Sequence, residues 1–280
     1  MPTVDDLSDP VTQGRVNNWY DRFRFYRRPP SRQDIIDWIA QFESAHHALG
    51  GKVLDATVVI SDEQIQAGFN TALHSLPGWS DDGGLRAGRW VFVGFGEQAE
   101  SGAAMLHMFR EANGLEGDAF QHMFITVADL PGMGLTAHDT VIFVDDFAGT
   151  GDQFAKRWNT FQELIVGEAR IFLFLAVATS RALARLQAID DLAVKVQRVM
   201  TSADDCFHAA NGNFSAAEKD ELLRYCRKAS RSNPKGWGDC GLLLVISRKT
   251  PNNSLPILHQ KSRKWHPIFP RRMARVAAAD

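Results

Sequence analysis

Apolar positions recur at helical spacing in the first part of the chain and in short continuous runs after it. In "SRQDIIDWIAQFESAHHAL", Ile35, Trp38, Ile39, Phe42 and Ala45 fall on one helical face. Ser31 stands where an N-cap belongs, directly after Pro29-Pro30, so the stretch predicts a helix. "SDEQIQAGFNTAL" places Ser61 and Gln64 at capping-box spacing ahead of Ile65, Phe69 and Leu73, which predicts a second. "NNWYDRFRFY" is aromatic and is expected to be a third, with Trp19, Phe23, Trp38 and Phe42 as packing residues. Residues 1–80 are therefore expected to form a helical module, for which a winged-helix-like arrangement is one candidate. "PGWSDDGG", residues 77–84, reads as the loop that ends it.

From residue 85 the rhythm becomes strand then helix. "RWVFVGFG" precedes "EQAESGAAMLHMFREAN"; "HMFITVADL" and "DTVIFVDD" follow, then "GDQFAKRWNTFQELI". "ARIFLFLAVA" with "TSRALARLQAI" repeats the unit, and "AVKVQRVM" and "CGLLLVI" are further strands. Such alternation predicts an α/β fold with a mainly parallel sheet flanked by helices. The expected domain spans residues 85–280 and ends in a tail, "TPNNSLPILHQKSRKWHPIFPRR", without a clean period.

A chain of 280 residues has ample material for one large or two smaller cores. No apolar run approaches the roughly 18–20 residues of a membrane span, and "MPTVDDLSDP" lacks a secretory pattern, so a cytoplasmic protein is expected. Cys206, Cys226 and Cys240 have no metal-ligand spacing and are read as reduced and structural. The formal charge of −2 conceals an asymmetry, because the only acid among the basic residues from Arg224 to Arg275 is Asp239. Two readings follow. This region meets nucleic acid, a nucleotide or a protein partner, or it folds against the more acidic remainder of the chain.

"VIFVDDFAGTGDQF", residues 141–154, carries the most specific chemistry. Four apolar residues run into Asp145 and Asp146, and a small-residue loop leads into a helix near Asp152. In a parallel sheet, ligands sit outside the carboxyl ends of the strands. There, two carboxylates can accept hydrogen bonds from vicinal sugar hydroxyls. A loop of small residues lets successive backbone N–H groups converge with a helix N-terminus on a phosphate. Acids for a ribose and a nest for its 5′-phosphate describe a ribose 5-phosphate site. His46, His47 and His122 lack the partners of a metal site, and the adjacent acids do not follow the alternating D-x-D of haloacid-type phosphatases.

This stretch resembles the phosphoribosyl-pyrophosphate motif of type I phosphoribosyltransferases. With "GDCGLLLVI", "TPNNSLPIL" and "WHPIFPRR", the chain is similar to divergent phosphoribosyltransferase-like proteins of bacterial conflict systems, associated with antiphage defence and retron-like loci. The resemblance implies that Asp145 and Asp146 hold the ribose hydroxyls, with Mg²⁺ nearby on the pyrophosphate and no metal bound by a dedicated protein cage. It implies that Ala148, Gly149, Thr150, Gly151, Asp152 and Gln153 cradle the 5′-phosphate. Gly96, Ser101 and Gly102 would belong to a pyrophosphate loop, and Asn252, Asn253 and Trp265 to a hood over the acceptor. Several positions depart from the family pattern. Asp152 puts a negative charge in the phosphate loop, and Gln153 replaces a hydroxyl. Gly149 stands where 6-oxopurine salvage enzymes carry a carboxylate base. The pyrophosphate loop holds Glu97 and Glu100 without Lys or Arg, and "ADLPGMGLTAHD" is short and equally free of them. Arg181 is a candidate substitute cation. Two functions stay open at this point: a Mg²⁺-dependent glycosyl transferase with a degenerate pyrophosphate loop, or a catalytically silent nucleotide sensor or effector subunit that meets nucleic acid or a protein partner.

Overall fold

The computed structural model describes residues 10–95, 101–165 and 167–271. The chain opens with helices α1 (Pro10–Phe23), α2 (Arg32–Ile39) and α3 (His47–Ala56), then the short strand β1 (Val58–Ile60) and α4 (Asp62–His74). Ser31 caps α2 in a full capping box with Asp34. The apolar periodicity through residues 31–49 does not give one helix, however. Instead, the backbone N–H of Glu43 donates to the Tyr225 hydroxyl at 3.0 Å. The Glu43 carboxylate accepts from Arg224 at 2.7 Å. Glu43 is thus held in extended geometry, and a short 3-10 turn at Ser44–His46 then leads into α3.

Next come β2 (Trp90–Gly94), α5 (Ser101–Ala112), β3 (Phe124–Ile125), β4 (Thr140–Ala148) and α6 (Asp152–Leu164). The alternation continues with β5 (Arg170–Thr179), α7 (Ser180–Gln187) and β6 (Leu192–Met200). The chain closes with α8 (Ala216–Ala229), β7 (Leu244–Ile246) and α9 (Pro256–His259).

Two compact units result. The first takes the described residues of Met1–Asp62 and Ser202–Asp280, the second Glu63–Thr201. In the first, β1 and β7 pair in parallel, Val58 opposite Leu244 and Ile60 opposite Ile246. The strand read as "CGLLLVI" thus completes this two-stranded sheet. Trp19, Phe23, Trp38, Phe42, Tyr225, Trp265 and Phe269 build its core, with Phe42 and Trp265 edge to face at 5.2 Å. Burial of these large rings joins the described segments before residue 63 and after residue 201 in one core. Arg224 bonds Glu43, and Arg248 lies 3.2 Å from Asp62, so part of the basic C-terminal charge is met by acids of the N-terminal segment.

The second unit is a five-stranded parallel sheet in the order β3-β2-β4-β5-β6, flanked by helices. Its central strands are apolar on both faces, as sheets covered on two sides require. Phe143, Phe154, Trp158 and Phe161 pack one side, with the rings of Phe143 and Phe161 stacked at 5.5 Å. Strand order reverses between β2 and β4, because β3 lies on one flank of β2 while β4, β5 and β6 extend on the other. In open sheets of this type, the crevice at such a reversal is where ligands bind. Among the described residues, no helix is long and apolar enough to cross a membrane.

Candidate functional site

Strand β4 is paired on both flanks among the described residues, and its carboxyl end carries the candidate acids. Toward β5 the pairing continues through Asp145, Phe147 and Ala148. Toward β2 it stops at Gly94 opposite Val144, with one more bond from the Phe95 N–H to the Val144 carbonyl at 2.9 Å. The stretch from Asp145 onward thus lies at the carboxyl end of β4, next to the strand-order reversal. Asp145 is buried, Asp146 is half-buried, and the Asp146 N–H donates to Asp145 Oδ1 at 2.9 Å. Both carboxylates stand near the carboxyl end of β4, the end at which ligands of such sheets sit.

The loop that follows is held by backbone conformation and by α7. Gly151 adopts φ 74°, a left-handed geometry that disfavours any side chain, and forms the N-cap of α6. Its carbonyl accepts from Ala155 at 3.0 Å, the first turn of that helix. The N-cap offers no side chain to the amides of the turn. The Thr150 hydroxyl instead accepts from the Asp152 N–H at 3.3 Å. A helix N-terminus approached through small residues is suited to an anion.

Thr179, at the end of β5, was not singled out from the sequence. Its buried hydroxyl donates to the Gly149 carbonyl at 2.6 Å and accepts from the Ala182 N–H at 3.0 Å, tying the loop to the start of α7. A threonine before an amphipathic helix is a readable N-cap signal; its second bond, to Gly149, is a tertiary fact. Arg185 was also missed. It forms a close ion pair with Asp152, whose charge is thereby partnered. The Thr150 hydroxyl, then Arg185, Lys156 and Arg181, hold the Asp152 carboxyl below the usual carboxylate range. Arg181 is exposed, and its charge acts on Asp152.

Of the expected pyrophosphate loop, Gly96 lies outside the described residues. Ser101 begins α5, and Gly102 follows it. A side chain on Gly102 would collide with the backbone of Phe95, and one on Gly94 would meet the Gly102 carbonyl at 2.8 Å. Both glycines are required by the close approach of β2 to α5. The Phe95 ring packs on Phe154 at 4.6 Å, which sets the end of β2 against α6. Gln153 is exposed at the second position of α6, and Ala148 is half-buried at the end of β4.

The expected hood residues fall in the first unit. Trp265 is fully buried, and its indole N–H donates to the Ile257 carbonyl at 2.8 Å. Its ring is enclosed by Trp38, Phe42 and Tyr225, so a hood contact from this ring is ruled out by its own packing. Asn253 is also buried, donating to the Trp237 carbonyl at 2.8 Å. Asn252 is exposed, and its carbonyl accepts from the Trp237 N–H at 2.7 Å. Among the described residues, no group of three or more His, Cys, Asp or Glu is placed to hold a metal ion. The cysteines are buried thiols outside any disulfide, and burial raises the thiols of Cys206 and Cys226, which suits inert packing residues.

A family model described as PRTase-CE matches residues 35–271, which covers the sheet, the acids, the loop and much of the first unit. No curated protein matches the chain.

Proposed function

The chain belongs to the PRTase-CE family and is a phosphoribosyltransferase-like protein, and on that premise we propose that residues 145–153 bind the ribose 5-phosphate part of phosphoribosyl pyrophosphate or a related nucleotide. The observation that carries this reading is the coincidence of three features. Two adjacent carboxylates, a left-handed Gly151 turn and the N-terminus of α6 all meet at the carboxyl end of β4, where the strand order reverses. Asp145 and Asp146 accept hydrogen bonds from the vicinal ribose hydroxyls. The backbone of residues 148–153 receives the 5′-phosphate.

The donor set suits Mg²⁺ in the way this ion is usually held, by one or two carboxylates and the phosphates of its ligand. Asp145 and Asp146 would hold it, and when bound it neutralises charge on the pyrophosphate. The protein's own contribution to glycosyl transfer is to fix the ribose by its hydroxyls and phosphate. Two carboxylates then lie near the ring as positive charge develops at C1.

A second reading, a silent nucleotide sensor or effector subunit, is favoured by one feature. Neither residues 94–102 nor residues 126–139 contain Lys or Arg, so these two loops bring no cation to a departing pyrophosphate. Such a subunit would meet nucleic acid or a protein partner through the basic residues beyond Arg224. A role in bacterial defence rests on the motif resemblance, and a reverse transcriptase or nuclease gene beside this one would support it.

Calorimetry with phosphoribosyl pyrophosphate and Mg²⁺ tests the shared premise. Binding is expected, and Asp146→Asn should weaken it by roughly tenfold, the size of a hydrogen bond to a charged group. Absence of binding by the unaltered protein overturns the reading. Pyrophosphate release in an acceptor screen selects the transferase, and binding without release selects the sensor.

A further inference from the structure

We propose that Arg185 is the side chain that meets the 5′-phosphate and that Asp152 positions it, an inference that rests on the ribose 5-phosphate reading of the loop. Arg185 is not merely near the loop, because α7 is fastened to it at three successive points. Thr179 bonds the Gly149 carbonyl at 2.6 Å. Gly151 approaches α7 so closely that a Cβ there would lie 3.3 Å from the Ala182 carbonyl and 3.4 Å from Arg185 Cδ. Beyond that contact, the guanidinium reaches the Asp152 carboxylate. The aliphatic stem of Arg185 thus crosses the left-handed turn, and its charged end lies at the first position of α6.

Charge makes the arrangement intelligible. An aspartate beside a bound phosphate repels it, and the repulsion grows as water is displaced. Paired with Arg185, Asp152 has a different use. Lys156 and Arg181 also act on it, so the first turns of α6 and α7 bring further positive charge toward the loop. A guanidinium has five N–H donors in a rigid fork, so engaging one carboxylate leaves others for phosphate oxygens. The side chains of Arg185 and Asp152 are 48% and 42% exposed, open enough for a ligand to reach both. The ligand class is therefore a sugar bearing a terminal phosphate monoester. A free ribose gains nothing from this pair.

The sign of one substitution decides the matter. If Asp152 is an uncompensated repulsive charge, Asp152→Asn tightens binding. If it holds Arg185 in place, Asp152→Asn weakens binding. Titration of ribose 5-phosphate by calorimetry should show Arg185→Met weakening binding by about tenfold to a hundredfold, and Asp152→Asn by about threefold to tenfold. In the Arg185→Met background the sign should invert, Asp152→Asn then strengthening binding by removing a bare carboxylate. Arg185→Lys should recover part of the loss. A purely structural role for either residue would not produce that inversion. Thermal melts should be nearly unchanged, because both side chains lie at the surface.

Unaltered protein that fails to bind ribose 5-phosphate overturns the phosphate reading of the loop, and the inference falls with it. If the unaltered protein binds, yet Asp152→Asn alone tightens binding or Arg185→Met changes it less than about twofold, the phosphate reading stands and the inference is wrong.

Discussion

Replacing His259 by Gln should remove a pH-dependent weakness from the first unit. His259 ends α9 and is 8% exposed. Its Nε2 lies 3.1 Å from the Ser254 carbonyl, a donor role that a glutamine amide can imitate. Its own carbonyl receives the Arg271 N–H at 3.4 Å. Burial first, and then the charge of Arg271, pushes the imidazole down from 6.5 to about 4. A group whose folded value lies below its unfolded value costs nothing above the unfolded one. Between 6.5 and about 4 the unfolded chain takes up a proton that the folded chain refuses, and each pH unit crossed lowers stability by about 1.4 kcal/mol. The full penalty is on the order of 3 kcal/mol, reached as pH falls through the folded value.

Urea unfolding at steps from about pH 7.5 to about pH 4 measures this, with the unaltered protein and His259→Gln compared at each step. Carboxylates titrate in both proteins, so only their difference isolates the imidazole. The two stability curves should converge below about pH 4 in slope and differ there by about 3 kcal/mol more than at neutral pH. Parallel curves would refute the reasoning. Should the variant not fold, an NMR titration of the His259 ring in the unaltered protein decides, and a midpoint near the ordinary histidine value would refute it equally well.

Asp139→Ala should destabilise the second unit by about 2–3 kcal/mol in guanidinium melts while leaving ribose-phosphate affinity intact. Its buried carboxylate accepts from the Arg89 N–H at 2.8 Å, Arg89 Nη2 at 2.7 Å and the Thr136 N–H at 2.8 Å, at the opposite end of β4 from the candidate site. Arg89 above all holds this carboxyl well below the usual range, so its contribution is present at neutral pH and is lost as pH falls through that depressed value. Gly102→Ala should lower the melting temperature and weaken phosphoribosyl pyrophosphate binding together, because a Cβ there collides with Phe95 and pushes α5 from the end of β2. A fully tolerated alanine would show that this close approach does not hold.

Much of the second unit was legible in the residues. Buried parallel strands need unbroken apolar runs, and "VFV", "VIFV" and "FLFLAVA" supply them, with helical periods between. The acids and loop were equally readable, since a left-handed turn calls for Gly151 and a ligand-facing strand end tolerates Asp145 and Asp146. The first unit was less so. Its helix from Ser31 was legible up to Ile39, but the break before His47 depends on Tyr225, about 180 residues away, meeting Glu43. The family resemblance implies a place for Trp265 in a hood over the acceptor, yet its ring is part of the core.

The sequence by itself determined the alternation of strands and helices, the parallel α/β class and the place of the two carboxylates at a strand's end. Those properties are local, being matters of period, small residues and side-chain chemistry over some fifteen positions. Tertiary structure alone decided that Asp152 has Arg185 as its partner, that Thr179 ties the loop to α7, and that the N-terminal helices share a core with the end of the chain. Each of these depends on segments distant in sequence meeting in space, and no local period records which segment a side chain will meet. The aspartate that looked out of place in a phosphate loop is thus half of a pair whose other half is 33 residues downstream.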